Sequence, residues 1–269
     1  MRRVEFNENW NESIRSLYEY DLLEIFHPFS RNKRHYQEPY RNRRDIVLTF
    51  FKKNRSSVES ILDVGAAQGN FSLTLAEIGF RVTWNDIRTE ILDYVQEKYE
   101  YGNVEFLPGN IFDLDLKRKY NCVLLTEIIE HVAHPDLFLA KCQEFVDSNG
   151  FIVMTTPNGR YFRNKLPKFS DCSDPSEFEK EQFKPDSDGH IFLLHPDEIS
   201  KLALGSNLRV EEIRFFNNFL TCGHLKLRYL LKYIPRFIVD LIEIFTQNLP
   251  FWLSSRINCQ TFVVLVPID

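Results

Sequence analysis

Apolar positions along this chain follow two rhythms, and the way they alternate predicts a fold. Short apolar runs at Ile61 to Val64, Arg81 to Trp84, Val104 to Leu107, Tyr120 to Thr126 and Gly150 to Thr156 have the length and density of buried strands. After the first of them, Phe71 to Ile78 repeats its apolar residues with helical spacing. Pro196 to Leu204 read as a further helix, and Leu208 to Phe216 and Cys259 to Val266 as the last two strands. Strands interleaved with helical patterns point to a parallel, doubly wound α/β sheet.

Two segments stand outside that alternation. Residues 1–57 form a helical extension ahead of a main domain at 58–269, with helices expected over Asn11 to Phe26 and Tyr40 to Phe51. Its second half is basic, with Arg31, Lys33, Arg34, Arg41, Arg43, Arg44, Lys52, Lys53 and Arg55 against only Glu38 and Asp45. A solvated helix face, a site for a phosphate-bearing substrate and an anionic membrane surface all account for such a run. The helical insertion 217–258, between the last two strands, is crowded with bulky apolar residues, among them Phe219, Leu230, Phe237, Leu241, Phe245 and Trp252. Lys232, Arg236, Asp240 and Glu243 interrupt every stretch that would cross a bilayer, so two amphipathic helices broken at Pro235 are expected. Such a pair packs on the core, joins two copies into a homodimer, caps a pocket for an apolar substrate, or lies on a membrane surface as a peripheral contact. Thr156 to Leu194 shows no periodicity and reads as a long functional loop, acidic from Asp171 to Asp188.

Candidate chemistry begins at residues 61–69, Ile-Leu-Asp-Val-Gly-Ala-Ala-Gln-Gly. A strand runs into a turn of Gly65, Ala66, Ala67 and Gly69, small enough for a ligand to approach the backbone. Dinucleotide sites use G-x-G-x-x-G with a pyrophosphate over the helix start. Here Asp63 precedes the glycines and one residue separates Ala67 from Gly69. An acid at that place repels a pyrophosphate and suits a cationic ligand. Asp86, at the tip of the second strand about 20 residues beyond the loop, is placed to bond a ribose diol.

This pattern resembles the class I methyltransferases that use S-adenosylmethionine, whose first motif is an acid followed by G-x-G-x-G; Ala67 replaces the middle glycine. The resemblance implies a Rossmann-like, seven-stranded sheet, mostly parallel, with an antiparallel last strand inserted between its neighbours. It also implies a cofactor site made of Asp63, Gly65, Ala66, Ala67, Gly69 and Phe71, then Asp86 and Ile87, Asn110 and Ile111, and Glu127. The family commonly has aspartate where this chain has Asn110, whose amide oxygen still accepts from an adenine amino group.

Open α/β folds place their ligands at the carboxyl edge of the sheet, so the reacting groups are expected after the fourth strand. The chain there reads Thr126-Glu-Ile-Ile-Glu-His-Val-Ala-His-Pro135. Glu127, Glu130 and His131 are spaced so that one helical turn would gather them on one face. His131 titrates near neutrality and is the expected catalytic base, with Glu130 beside it. Glu127, Glu130 and His131, joined by His190, are equally a ligand set for a divalent metal ion, with His134 a competitor or a surface residue. An acidic helix start with hydrogen-bonded histidines and no ligand is the plain alternative. E-x-x-E-H with a later histidine resembles the small-RNA 2′-O-methyltransferases, where it binds a metal at the acceptor hydroxyl, and equally the O-methyltransferases of ubiquinone biosynthesis. Asn158 and Arg160 after the fifth strand, and His190, are candidates to bind the methyl acceptor.

Composition adds bounds. The chain has 269 residues and 43% hydrophobic content, enough for a sizeable core, and a net charge of −5 that argues against a general nucleic-acid binder. The first residues lack the apolar core of a secretory signal, and Cys122, Cys142, Cys172, Cys222 and Cys259 show no paired spacing, so a reduced, cytoplasmic setting is expected. The preferred reading is O-methylation of a small-molecule hydroxyl, aromatic, quinone-like or sugar. The alternatives are a metal-dependent RNA 2′-O-methyltransferase and a non-catalytic cofactor-binding protein that docks on a membrane or partner.

Overall fold

A computed structural model of the chain describes residues 1–26, 30–182 and 189–268. The apolar runs become β1 (Ser60–Val64), β2 (Arg81–Asn85), β3 (Asn103–Phe106), β4 (Tyr120–Thr126), β5 (Val146–Pro157), β6 (Leu208–Asn218) and β7 (Asn258–Pro267). They form one seven-stranded sheet in the order β3-β2-β1-β4-β5-β7-β6. Pairing is parallel from β3 through β5, and β7 runs antiparallel to both β5 and β6, as the resemblance implies. Strand order reverses between β1 and β4, which opens a crevice at the carboxyl edge. Val64 lies opposite Asn85 on one side and Leu125 on the other, so the chain leaves β1, β2 and β4 at neighbouring points. Strand β5 starts earlier than expected: Val146 pairs with Tyr120, and the ladder resumes with Phe151 opposite Cys122. The polar residues between these pairs bulge, which hid the strand's first half from an apolar pattern.

In chain order the helices are α1 (Glu12–Asp21), α2 (Arg34–Lys53), α3 (Asn70–Glu77), α4 (Leu92–Lys98), α5 (Pro135–Gln143), α6 (Pro196–Gly205), α7 (Arg228–Leu231), α8 (Arg236–Gln247) and α9 (Phe251–Ile257). Alternation along the strands sends Leu62, Val64, Val123 and Leu125 to one face, under Phe138 of α5 and Ile199 of α6. Ile61, Cys122, Leu124 and Val153 point to the other, under Phe71 and Leu75 of α3 and Val47 and Phe51 of α2. Layers on both faces make the sheet doubly wound.

Several expectations need correction. The first helix stops at Asp21 and continues as one π-helical turn, Leu22–Phe26. Helix α2 begins at Arg34 rather than Tyr40, with Pro39 inside it. Arg34 and Glu38 form a buried ion pair across that turn, and Asn217 donates to the Pro39 carbonyl at 2.9 Å, which supports the backbone around the proline. Pro235 and Pro250 immediately precede α8 and α9, so the insertion holds three helices, two of them started by prolines rather than broken by them. Three residues of the basic run are used inside the protein: Arg34 pairs with Glu38, Arg41 with Glu38 and Asp240, and Arg43 with Glu127, while Arg31, Lys33, Lys52, Lys53 and Arg55 are exposed. The long loop after β5 is tied down by Phe169 and Phe178, whose rings lie 5.4 and 5.2 Å from that of Phe192. Its acidic stretch lies partly outside the described residues, Asp188 included.

The N-terminal extension is fastened to the rest by a buried polar knot. Lys98 and Asp21 are both fully buried and ion-paired. The Lys98 ammonium also donates to the Gln68 carbonyl and to Asn70 Oδ1, each at 2.7 Å, while Tyr94 and Asn70 donate to Asp21. All three ammonium donors thus have acceptors, although burial still pulls the Lys98 pKa down. The knot joins α1, α4 and the start of α3, next to the glycine turn. Removing one member leaves an unpaired buried charge, so Asp21→Ala should cost roughly 3 to 5 kcal/mol in urea unfolding. A loss below about 1 kcal/mol would show that the knot is not holding the extension in place.

Candidate active site

The glycine turn is shaped by backbone constraints. Gly65, Ala67 and Gly69 all have positive φ, at +65°, +46° and +71°. A Cβ at Gly65 would lie 2.8 Å from the Ile128 side chain, and one at Gly69 would lie 2.7 Å from Val95. The protein's own side chains thus also require these positions to be small. Strand β2 holds the turn, with Ala66 donating to the Asn85 carbonyl at 2.9 Å and Trp84 Nε1 to the Ala67 carbonyl at 3.0 Å.

Around this turn lie acids with acceptor capacity to spare. Asp63 is fully buried, its Oδ2 accepts from Ser72 Oγ, and its Oδ1 has no partner. Burial, with some repulsion from Asp86, pushes the Asp63 carboxyl up to about 7. A cationic ligand beside it fits that orphaned oxygen, as the sequence suggested. Asp86 is more occupied than expected. It accepts from the Ala67 amide at 2.8 Å, from the Arg88 amide at 2.9 Å, and from both ends of the Arg88 guanidinium at 2.9 and 3.0 Å. A ribose diol has to displace that arginine fork. Asn110 Oδ1 accepts from the Phe112 amide at 3.1 Å, which uses one of its two lone pairs. Phe71 and Ile111 pack their side chains into the core. Ile87 and Phe112 instead leave apolar surface exposed at the tips of adjacent strands. Phe112 was missed by sequence reasoning, although its place next to Asn110 and Ile111 was a usable signal.

The residues after β4 do not form the expected helical turn. Glu127 adopts a left-handed conformation, φ +52°, and a short 3-10 turn follows over Ile129–His131. The reversal brings Glu127 Oε2 to Gln260 Nε2 at 2.9 Å and to Arg43 at 3.2 Å. Glu130 turns into the protein, fully buried, where Thr156 Oγ1 donates to its Oε2 at 2.9 Å and its Oε1 has no partner. Ile191 donates its amide to the Glu130 carbonyl at 2.8 Å, which carries His190 to the same place. Ligand atoms of Glu130, His131 and His190 lie within 4.8 Å of one another, and Glu127 is not in that group. The four-residue metal set is therefore corrected to three. His134 is elsewhere, paired with Glu179 at 3.0 Å. Burial and the neighbouring Glu127 raise the Glu130 carboxyl well above its usual range, while burial and His190 lower the His131 pKa. The His131 imidazole donates to the Gly189 backbone, which leaves its other nitrogen for a proton or an ion. Two imidazoles and a carboxylate with an orphaned oxygen suit a first-row divalent cation.

Asn158 is not positioned for an acceptor. It is 1% exposed, and its amide donates to the Ser255 and Asn258 carbonyls at 2.6 and 2.7 Å while its oxygen accepts from the Arg160 amide at 3.0 Å. Its function is to close the loop. Arg160 is half-buried, and its amide is held by Asn158. The cysteines hold one surprise: Cys222 and Cys259 lie 2.8 Å apart, sulfur to sulfur, despite their distance in sequence.

Residues 33–213 match the family described as methyltransferase domain. The chain belongs to that family. It is a class I S-adenosylmethionine-dependent methyltransferase domain by motif and strand order. A ubiquinone biosynthesis O-methyltransferase from Rickettsia akari is 28% identical over 114 residues, which cover 42% of this chain and 45% of that protein. The matched stretch thus spans less than half the length of that relative. Two solved structures share the fold: a magnesium protoporphyrin IX methyltransferase from Synechocystis PCC 6803 with bound SAH, at 13% identity and TM-score 0.57, and the cyclase SpnF, at 10% and 0.56. The first covers 95% of this methyltransferase and 93% of its own chain; the second covers 87% and 83%.

The raised Asp63 pKa has a measurable consequence. A bound ammonium stabilises the carboxylate, so the carboxyl pKa in the complex falls below its value of about 7 in the free protein. Binding then releases a proton, and affinity rises with pH up to about 7 before levelling off. Isothermal titration of S-adenosylhomocysteine should show tighter binding at pH 7.5 than at pH 6, by up to about tenfold per pH unit below that pKa. In Asp63→Asn this dependence should disappear, and a pH-independent wild-type affinity would contradict the assignment.

Proposed function

We propose that this methyltransferase transfers the methyl group of S-adenosylmethionine to the hydroxyl of a small aromatic or quinone-like molecule. The observation that carries the reading is the convergence of Glu130, His131 and His190 beside the glycine turn, with an unpartnered carboxylate oxygen among them. Bound S-adenosylmethionine supplies an electrophilic methyl on a sulfonium, and a divalent ion held by the three side chains would make a hydroxyl more acidic. His131, neutral at physiological pH, is the residue that takes or shares the hydroxyl proton. Thr156 sets the orientation of Glu130, and the Gly189 backbone sets that of His131. The resemblance to ubiquinone-pathway O-methyltransferases supports an oxygen acceptor. An RNA acceptor finds less support, because Arg34, Arg41 and Arg43 of the basic run are ion-paired internally.

The test combines binding and turnover. His131→Ala should bind S-adenosylhomocysteine as the wild type does, yet lose roughly a hundredfold in methyl transfer to a small catechol. Near-normal turnover in this variant would remove His131 from the chemistry. Titration with Mn²⁺ or Zn²⁺ at pH 7 should show one site, lost in His190→Ala. No ion binding with activity intact in a chelator would leave His131 as a metal-free base.

A further inference from the structure

Helix α8 is inside out. Its inward face carries Val239, Glu243 and Thr246, all buried, and Glu243 accepts from the Asn217 amide, the Asn218 amide and side chain and the Thr221 hydroxyl. Its outward face carries Phe237, Leu241, Ile244 and Phe245, joined by Tyr233 before it and Trp252 of α9, each 58 to 72% exposed. A helix on a water-facing surface distributes its residues the other way. Single exposed apolar residues are ordinary, but a contiguous aromatic and aliphatic face marks an interaction site.

Charge decides what covers it. Asp240 and Glu243 are the only acids in residues 217–258. Asp240 pairs with Arg41, and Glu243 is buried, so neither adds negative charge to the apolar face. Lys226, Arg228, Arg236 and Arg256 of the same segment are exposed, and Lys232 lies against the Tyr233 ring. A second copy related by two-fold symmetry would bring this cationic face against itself. An anionic lipid surface complements both halves of the pattern, with bulky rings in the headgroup region and lysines and arginines beside phosphates. Helix α8 has 12 residues, about 18 Å, and no helix among the described residues is long and apolar enough to cross a membrane, so the face lies on a bilayer and does not enter it as a span.

We propose that α7, α8 and α9 form a docking surface for an anionic lipid bilayer. The surface is continuous with the acceptor side of the crevice. Phe162, 46% exposed after β5, donates its amide to the Arg256 carbonyl at 3.0 Å, and Tyr161 hydrogen-bonds His224 at 2.6 Å. The loop beside the reacting groups is thereby fixed to the membrane-facing helices, so an apolar acceptor dissolved in the bilayer meets the crevice from that side.

Flotation with vesicles tests this independently of methyl transfer. Wild-type protein should float with phosphatidylcholine vesicles containing 30% phosphatidylglycerol and much less with phosphatidylcholine alone, and salt should weaken the binding. Arg236→Glu should lower the partition coefficient at least about fivefold. The combined change Phe237→Ser, Leu241→Ser and Phe245→Ser should lower it more than tenfold. Bromine-labelled acyl chains should quench the wild-type tryptophan emission, and Trp252→Phe should lose that quenching, a readout that does not need the triple variant to fold. Wild-type protein that stays with the soluble fraction in both lipid mixtures would overturn the proposal. So would a stable dimer in sedimentation velocity that the triple variant breaks, because the face would then belong to a second copy.

Discussion

The parallel pairing of β1 with β4 is the contact on which the site depends. Because Val64 sits opposite Leu125, with Asn85 on its other side, three strand ends release their next residues side by side. The glycine turn, Asp86 and Glu127 are neighbours for that reason alone, although they are far apart in sequence. Short loops then do the rest. The left-handed Glu127 reverses the chain after β4, and the Ile191 amide bonded to Glu130 brings in a histidine from the far end of the long loop. The same arrangement works against stability. Asp63 and Glu130 are buried with an oxygen each unpartnered, and desolvation raises both carboxyl groups above the usual carboxylate range, Asp63 to about 7. Buried acids of this kind cluster where a cation is to be received.

Much of the architecture was legible because the strands are short apolar runs ended by small or polar residues. Their order and the antiparallel last strand came with the motif. Boundaries failed where local rules are overridden by long-range contacts. A helix was expected from Tyr40, yet the Arg34–Glu38 pair and the Asn217 contact hold a helix that starts at Arg34 and runs through Pro39. The site was legible by residue type and less so by role. Glu130, His131 and His190 converge, whereas Phe71 and Ile111 pack in the core and Asn158 closes a loop. Helical spacing misled at Glu127, since no pattern signals a single left-handed residue. Arg43 was hidden in a charged run, and the Asp21–Lys98 knot joins residues that no periodicity connects.

Fold and chemistry separate within this architecture. The cyclase SpnF has the same architecture at low identity, so strand order by itself says little about the reaction. Two additions to the sheet reach the site. The N-terminal extension supplies Asp21 to the buried knot and Arg43 to Glu127. The insertion before β7 supplies Ser255 and Asn258 to the acceptor-side loop and turns an apolar, cationic face outward. Both additions end at the crevice, one from each side.

A crystal structure grown with S-adenosylhomocysteine tests the site most directly. The nucleoside should lie across the glycine turn, with the ribose hydroxyls on Asp86, the Arg88 side chain displaced from its fork, and the ammonium facing Asp63. A crystal in which the Asp86–Arg88 fork is intact and the ligand lies elsewhere would contradict the central claim that these strand ends were brought together to hold it.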